Sequence, residues 1–183
     1  ENNKGVHLLN RDIKLNYLTK KDFESIKIGK KMGVKNFALS FTNSEKDILQ
    51  FNKILKKENK IFKIETKNAI KNLDKIFKVG SNFLIDRGDL SKDIKIEKVP
   101  IFQRLILEKA RKKQKNIFIA TNFLESMIEN NYPTRAEIND IYNAFELGAN
   151  GVVLAAETAI GKYPEECISL VHKIYNEFIK NLR

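Results

Sequence analysis

The sequence predicts an α/β protein built from parallel strand–helix units. Short apolar runs alternate with longer amphipathic segments along most of the 183 residues. The short runs are apolar at nearly every position, as expected where both faces of a parallel sheet are covered. Only 8 glycines and 3 prolines are present, so we expect no flexible linker. This repetition is typical of βα units joined by right-handed crossovers.

Five runs are expected to form strands and six segments are expected to form helices. The expected strands are residues 36–41, 61–65, 82–86, 116–121 and 150–154. The expected helices are residues 20–32, 44–58, 68–77, 97–114, 134–147 and 164–181, and an irregular lead-in occupies residues 1–17. Each strand is followed by a helix, so the pattern contains about five βα units.

Several helix boundaries follow from the residue types at their ends. Thr19 precedes a charged turn and is expected to cap the first helix, and Gly33 is expected to end it. Thr134 and Glu137 have the spacing of a capping box. Gly148 is expected to end the helix that precedes the last strand.

The number of units leaves two architectures open. A closed (β/α)₈ barrel needs eight strands and typically about 250 residues. Five units could form an open doubly wound sheet, or most of a barrel whose first strands lie elsewhere. Periodicity alone does not decide between them.

The composition is that of a globular protein, with 42% hydrophobic and 31% charged residues. The net charge of +11 raises the question of nucleic-acid binding. The lysines are scattered over the predicted outer helix faces, and no aromatic-studded basic motif accompanies them. We therefore expect a solvated surface and no nucleic-acid partner.

The cysteine and hydropathy patterns predict a cytoplasmic setting. Cys167 is the single cysteine, so it cannot form an internal disulfide, and no signal peptide is recognisable. We expect a buried structural thiol. No apolar run approaches the roughly 18 residues of a membrane span, so no membrane association is expected. His7 and His172 lack metal-ligand spacing and are expected to be surface or packing residues.

Charged side chains are found where several of the predicted strands end. Lys63 and Glu65 are two positions apart, so on a strand both point to the same side. Asp89 follows the next strand, and in both architectures ligands gather at the carboxyl ends of strands. A lysine beside two carboxylates suits a divalent metal bound next to a phosphate or an enolate. Taken singly, each residue could equally be a capping or surface ion-pair residue. The other polar residues at strand ends are Ser40, Arg87, Thr121, Asn122 and Glu157.

Five local strings, taken in order, point to one family. They are Phe62-Lys63-Ile64-Glu65, Arg87-Gly88-Asp89-Leu90, Ala120-Thr121-Asn122-Phe123-Leu124-Glu125-Ser126-Met127, Pro133-Thr134-Arg135-Ala136-Glu137, and Glu157-Thr158-Ala159 followed by Gly161-Lys162-Tyr163-Pro164. Together they resemble the second half of the catalytic barrel of the pyruvate kinase family. The resemblance begins at Lys4-Gly5-Val6, which looks like the return from the family's lid domain, and covers nearly the whole chain.

The resemblance implies a (β/α)₈ TIM-type barrel, of which this chain supplies about strands four to eight. It implies that Lys63 neutralises the transferred phosphoryl group and the developing enolate. Glu65 and Asp89 match the carboxylates that hold Mg²⁺ (or Mn²⁺). Gly88 and Asp89 match the turn that approaches the substrate carboxylate, and Thr121 matches the threonine that fixes that carboxylate and orders enolate protonation.

Some residues depart from the family pattern around these matches. They are Asn43 in place of an expected arginine, Asp86 in place of a small residue, Ser91 in place of a glycine, Asn122 in place of a glutamine, and Ala155-Ala156 in place of Ser-Gly. None of them removes a matched metal ligand, but several change its surroundings.

The function implied is transfer of phosphate from phosphoenolpyruvate to ADP, giving pyruvate and ATP in glycolysis. The lid domain, the first barrel strands and the C-terminal regulatory domain are absent from residues 1–183, as are the family's K⁺ ligands. We therefore expect a partial catalytic domain that is not competent alone, and that forms a homo-oligomer or pairs with a second chain to complete the barrel. The alternatives are a truncated, non-catalytic homologue with an interaction or regulatory role, and a magnesium-dependent lyase of the wider phosphoenolpyruvate/pyruvate barrel group.

Overall fold

Five parallel strands form one sheet in the part of the chain that the computed structural model describes, residues 17–182. The strands are β1 (Asn36–Leu39), β2 (Asn59–Ile64), β3 (Asn82–Asp86), β4 (Asn116–Ala120) and β5 (Gly151–Val153). They lie side by side in chain order, and each neighbouring pair is parallel. A doubly wound sheet would reverse its strand order at a switch point. The sequential order therefore identifies a partial (β/α) barrel.

The helices of the described residues follow the predicted pattern, with differences in their number and bounds. They are α1 (Lys20–Lys31), α2 (Glu45–Ile54), α3 (Lys67–Lys71), α4 (Leu73–Val79), α5 (Arg87–Asp93), α6 (Val99–Lys112), α7 (Arg135–Glu146), α8 (Ala156–Ala159) and α9 (Pro164–Asn181). The helix expected over residues 68–77 is divided into α3 and α4 at Asn72. The short helices α5 and α8 were not predicted, and the start of the helix expected over 97–114 is a 3₁₀ turn, Ile96–Lys98.

The predicted helix boundaries are confirmed. The Thr19 side chain caps α1 in a capping box with Asp22, and Thr134 and Glu137 form the capping box of α7. Gly33 and Gly148 follow α1 and α7 with φ of +78° and +97°, a conformation that glycine adopts without a steric penalty.

One face of the sheet packs against the helices and forms the core. Phe62 of β2 and Phe83 of β3 lie side by side on this face, and their rings contact Phe51 of α2 and Phe77 of α4. The four rings meet edge to face or tilted, the arrangements that aromatic rings prefer. This row of rings fixes the register of α2 and α4 against the middle of the sheet.

Side-chain amides tie the strands together at their amino ends. Asn59 Nδ2 donates to Asn36 Oδ1 at 2.8 Å, and Asn116 Nδ2 donates to Asn82 Oδ1 at 2.8 Å. These pairs lie at the opposite end of the strands from the charged residues described below. They stabilise the register of neighbouring strands without contributing to that charged group.

Both edges of the sheet are open among the described residues, whereas Leu84 of β3 and Ala120 of β4, on the second face, are buried. The two edge strands, β1 and β5, each pair with one neighbour only. Ala38 of β1 is exposed, and Val153 of β5 is 37% exposed, although both lie in strands of a parallel sheet. Among the described residues, both faces are therefore covered at the central strands but not at the edge strands.

The remaining structural expectations can be checked only within residues 17–182. Cys167 is fully buried, as predicted, and burial raises the pKa of its thiol. His172 is exposed. Over this part of the chain, none of the helices has the length and apolarity required to cross a bilayer. The predictions for His7, for Lys4-Gly5-Val6 and for most of the lead-in lie outside the described residues.

Candidate active site

Lys63 and two carboxylates meet at the carboxyl ends of β2 and β3. Lys63 and Glu65 point to the same side because they are two residues apart in an extended segment. Lys63 Nζ lies 2.6 Å from Glu65 Oε1 and 2.9 Å from Asp86 Oδ2. The three charged groups are mostly removed from solvent, so their mutual attraction is stronger than it would be at the surface.

Glu65 is the most deeply buried of these groups, at 1% exposure. Its Oε2 accepts a hydrogen bond from the N–H of Phe41, a residue with positive φ just after β1. Its buried Oε1 makes an ion pair with Lys63 but no directional hydrogen bond. Burial raises the pKa of Glu65, and the opposing effects of Lys63 and the Phe41 N–H only partly offset it.

Lys63 remains a cation in this environment. Burial alone would lower the pKa of Lys63, but the neighbouring carboxylates of Glu65 and Asp86 outweigh burial and raise it. One ammonium is shared between two carboxylates, so neither carboxylate is fully compensated. The group therefore carries excess negative charge.

Asp89 joins this group from the first turn of α5. The N-cap of α5 is Asp86, whose Oδ1 accepts a hydrogen bond from Asp89 N at 3.3 Å. Asp89 Oδ1 also pairs with Lys92 Nζ at 2.7 Å on the solvent side. Glu65, Asp86 and Asp89 each offer a carboxylate oxygen, and these atoms lie within 4.8 Å of one another.

This set of oxygens fits a divalent metal. Carboxylate oxygens are the ligands that Mg²⁺ and Mn²⁺ prefer, and Glu65 Oε1 is a buried oxygen without a hydrogen bond. Within residues 17–182, no other group of three His, Cys, Asp or Glu side chains could hold a metal in this way. The two carboxylates predicted as ligands, Glu65 and Asp89, are thus brought together, and Asp86 joins them.

Thr121 lies beside this group in a strained conformation. It follows β4 directly, and Thr121 and Asn122 have φ of +77° and +58°. A β-branched residue in this region costs about 1–3 kcal/mol and is often found at functional sites. Gly88 N donates to Thr121 Oγ1 at 2.9 Å, and Thr121 Oγ1 donates to the carbonyl of Ala120 at 2.6 Å. The hydroxyl therefore links the end of β4 to the first turn of α5.

Gly88 is not required by crowding within the chain. A Cβ at this position would lie 3.4 Å from Asp86 Oδ1 and 3.5 Å from Thr121 Oγ1, which is ordinary van der Waals contact. A requirement for glycine here would have to come from a ligand that approaches the backbone.

Arg87 holds the strained turn, a role that sequence reasoning missed. Its Nε and Nη2 both donate to the Thr121 carbonyl, and its Nη1 donates to Asp140 Oδ2 at 2.7 Å. Its guanidinium lies 4.2 Å above the centre of the Phe123 ring. The sequence placed Arg87 at a strand end, but no local pattern indicates that its partner is a main-chain carbonyl 34 residues away.

Three other polar residues at strand ends stay outside the carboxylate group. Ser40 is exposed, and Asn122 donates to Glu125 Oε2 at 2.9 Å on the surface. Glu157 is buried in α8, where its Oε1 has no hydrogen-bond partner. It is not one of the three carboxylates that meet around Lys63.

The fold and this group of side chains define a partial (β/α) barrel with a charged site at the carboxyl ends of its strands, where barrel enzymes carry their active sites. Residues 1–168 match the family profile of the pyruvate kinase barrel domain. The chain belongs to the pyruvate kinase family.

Individual relatives agree with this assignment. The pyruvate kinase of Thermotoga maritima is 42% identical over 183 residues, covering 98% of this chain and 39% of that protein. The pyruvate kinase of Candida albicans is 39% identical, covering 92% of this chain and 34% of that protein. The pyruvate kinase of Thermococcus litoralis is 37% identical, covering 93% of this chain and 37% of that protein. The chain thus spans less than two fifths of the length of these relatives.

Proposed function

We propose that the protein carrying this chain transfers the phosphoryl group of phosphoenolpyruvate to ADP, forming pyruvate and ATP. The observation that supports this best is the placement of Lys63 against Glu65, with Asp89 in the same group of carboxylates. Phosphoryl transfer depends mainly on positioning and on neutralising charge. A buried ammonium beside a metal-type carboxylate set can provide both. The same proposal places the reaction in the cytoplasm, as a step of glycolysis.

Lys63 and the two carboxylates would have different roles in binding the substrate. Lys63 would hold its proton and neutralise the phosphoryl oxygens and the developing enolate oxygen, since its carboxylate neighbours keep it cationic. Glu65 and Asp89 would hold Mg²⁺ or Mn²⁺, which supplies further positive charge at the same oxygens. Lys63 would exchange its contact with Glu65 for the substrate when that carboxylate turns to the metal.

Thr121 and Gly88 would position the carboxylate of the substrate. The Gly88 N–H and the Thr121 hydroxyl already lie within one hydrogen-bonded group. A substrate carboxylate would take over these donors, and the strained backbone of Thr121 holds its hydroxyl next to the turn. Thr121 is also the residue that would order protonation of the enolate.

The open edges of the sheet and the exposed residues of its edge strands support a further part of the proposal. An apolar groove between β5 and α9 is lined by residues that include Val152, Leu154, Val171 and Tyr175. Uncovered sheet edges favour pairing with further strands. We therefore propose that residues 1–183 form barrel strands four to eight, and that more strands, from the same natural chain, a second chain or a second copy, complete the barrel. Potassium use would depend on ligands outside residues 1–183.

The direct test is a coupled assay of pyruvate formation by the full-length natural protein. Lys63→Met should lower kcat by several orders of magnitude, because the phosphoryl and enolate charges lose their buried cation. Lys109→Met is the matched control, since Lys109 of α6 pairs with Asp74 of α4 and is not among the side chains around Lys63. Activity of Lys63→Met equal to that of the control would refute the assigned role.

A second candidate function is that of a non-catalytic homologue. The observation that favours it is the double ion pair of Lys63, which occupies the ammonium that the substrate would need. Metal-dependent binding of oxalate, an analogue of the enolate, would count against this alternative. Absence of that binding in the full-length protein would support it.

A further inference from the structure

Asp86 occupies Lys63, which the proposed function assigns to the anionic substrate, and the N–H of Asp89, in the turn next to Gly88. It is the last residue of β3 and is 8% exposed. Its Oδ2 lies 2.9 Å from Lys63 Nζ, and its Oδ1 accepts from the N–H of Asp89 at 3.3 Å. Both donors would otherwise be available to a phosphate or a carboxylate.

Asp86 also changes the charge of the site. Three carboxylates, Glu65, Asp86 and Asp89, surround the ammonium of Lys63, and Lys92 approaches Asp89 from the solvent side. Asp86 thus adds one negative charge to this group, next to the buried Glu65 Oε1 that pairs with the same ammonium.

We propose that Asp86 sets the balance between cation and anion binding in this site. As a third carboxylate it strengthens binding of the divalent metal, because charge at short range in a partly buried site acts strongly on a divalent ion. It weakens binding of an anionic ligand, because it repels the anion and competes with it for Lys63 and the Asp89 N–H. This inference rests on the proposed function, since it takes the metal and the anion from that proposal.

Two substitutions separate the charge of Asp86 from its structural role. Asp86→Asn removes the charge but keeps an oxygen that can accept from the Asp89 N–H. Asp86→Ala removes both the charge and the cap of α5. Asp74→Asn is the matched control, because Asp74 is an exposed carboxylate of α4 that pairs with Lys109 and Lys113. Circular dichroism and urea unfolding would establish that each variant of the full-length natural protein is folded.

Two affinities should change in opposite directions. The first is for Mn²⁺ without nucleotide or anion, measured by the loss of the free-ion electron paramagnetic resonance signal. The second is for oxalate, measured by calorimetry at saturating Mn²⁺. In Asp86→Asn we expect the Kd for Mn²⁺ to rise about tenfold, the scale of change for groups that tune a metal site, and the Kd for oxalate to fall. Asp74→Asn should change neither.

The outcomes distinguish this inference from the proposed function. An unchanged or lower Kd for Mn²⁺ in Asp86→Asn overturns the inference. So does a rise in both Kd values, which would show a merely structural role. If Glu65→Gln leaves Mn²⁺ binding unchanged, the metal site of the proposed function is wrong as well. If Glu65→Gln weakens Mn²⁺ binding while Asp86→Asn does not, the role proposed for Asp86 is wrong but the metal site is supported.

Discussion

Replacement of Arg87 by methionine should destabilise the protein and release the strained turn after β4. The guanidinium provides both N–H donors that reach the Thr121 carbonyl, one ion pair to Asp140, and a contact with the Phe123 ring. Arg87 is largely buried, whereas Asp140 is about one-third exposed. Most of the lost energy should therefore come from the carbonyl and the ring.

The size of the effect follows from these contacts. A carbonyl left without a charged donor costs about 1–3 kcal/mol, the cation–π contact contributes about 1 kcal/mol, and the partly exposed ion pair adds up to about 1 kcal/mol. We expect Arg87→Met to lower the free energy of unfolding by about 2–5 kcal/mol. Thr121 should then relax from positive φ, so that the hydroxyl moves away from Gly88.

Urea unfolding followed by circular dichroism measures the loss, and oxalate binding at saturating Mn²⁺ reports the position of Thr121. Arg135→Met is the matched control, because Arg135 is exposed in the first turn of α7 and should change stability by less than about 0.5 kcal/mol. If Arg87→Met were as stable as this control and bound oxalate normally, Arg87 would not hold the turn.

Three further predictions concern the scaffold. Phe83→Ala should lower the free energy of unfolding by about 3–5 kcal/mol, because the ring is fully buried between two other rings, and urea unfolding would measure it. Burial alone would raise the pKa of Glu137, but hydrogen bonds from Ser126 and Thr134 outweigh it and lower the pKa below the ordinary value of 4.5. The stability that Glu137 contributes is therefore complete above pH 4.5 and is lost as the pH falls through the lowered pKa. The difference in melting temperature between wild type and Glu137→Gln should narrow below pH 4.5. A difference that stays constant with pH would contradict this. Gly148→Ala should lower the free energy of unfolding by about 1 kcal/mol because the φ of Gly148 is +97°. Gly29→Ala, within α1 and with ordinary contacts around the new Cβ, should raise the free energy of unfolding by about 0.5–1 kcal/mol. Equal effects of the two substitutions would show that φ is not the cause.

The strands and most helices could be predicted because their signals are local. The strand expected over residues 82–86 coincides with β3, and the capping box of α7 depends on Thr134 and Glu137, which are three residues apart. The helix α5 could not be predicted, since Gly88 and the surrounding aspartates are poor helix formers. It forms because Asp86 caps it, which is visible only once β3 is known to end at that residue.

The sequence was sufficient to predict which residues form the site, but not how they pair with one another. Period-two geometry was sufficient to bring Lys63 and Glu65 to one side, and parallel pairing brought Asp89 to the same end of the sheet. The ion pair of Lys63 with Asp86 depends on the register of β2 against β3, in which Ile64 pairs with Ile85. No pattern within either strand specifies that register.

The choice of architecture also required the structure. Periodicity allowed a doubly wound sheet as well as a partial barrel, because both repeat the same βα unit. Only the order of the strands, sequential from β1 to β5, separates them. Strand order depends on contacts between residues far apart in the chain, which a single sequence does not reveal.

The location of the metal and anion is the central claim, and a crystal structure of the full-length natural protein with Mn²⁺ and oxalate tests it most directly. An anomalous difference map at the manganese edge should show a peak bonded to the carboxylates of Glu65 and Asp89, with oxalate reaching Lys63. A manganese peak elsewhere in the chain, with Lys63 still paired to both Glu65 and Asp86, would contradict the proposed site.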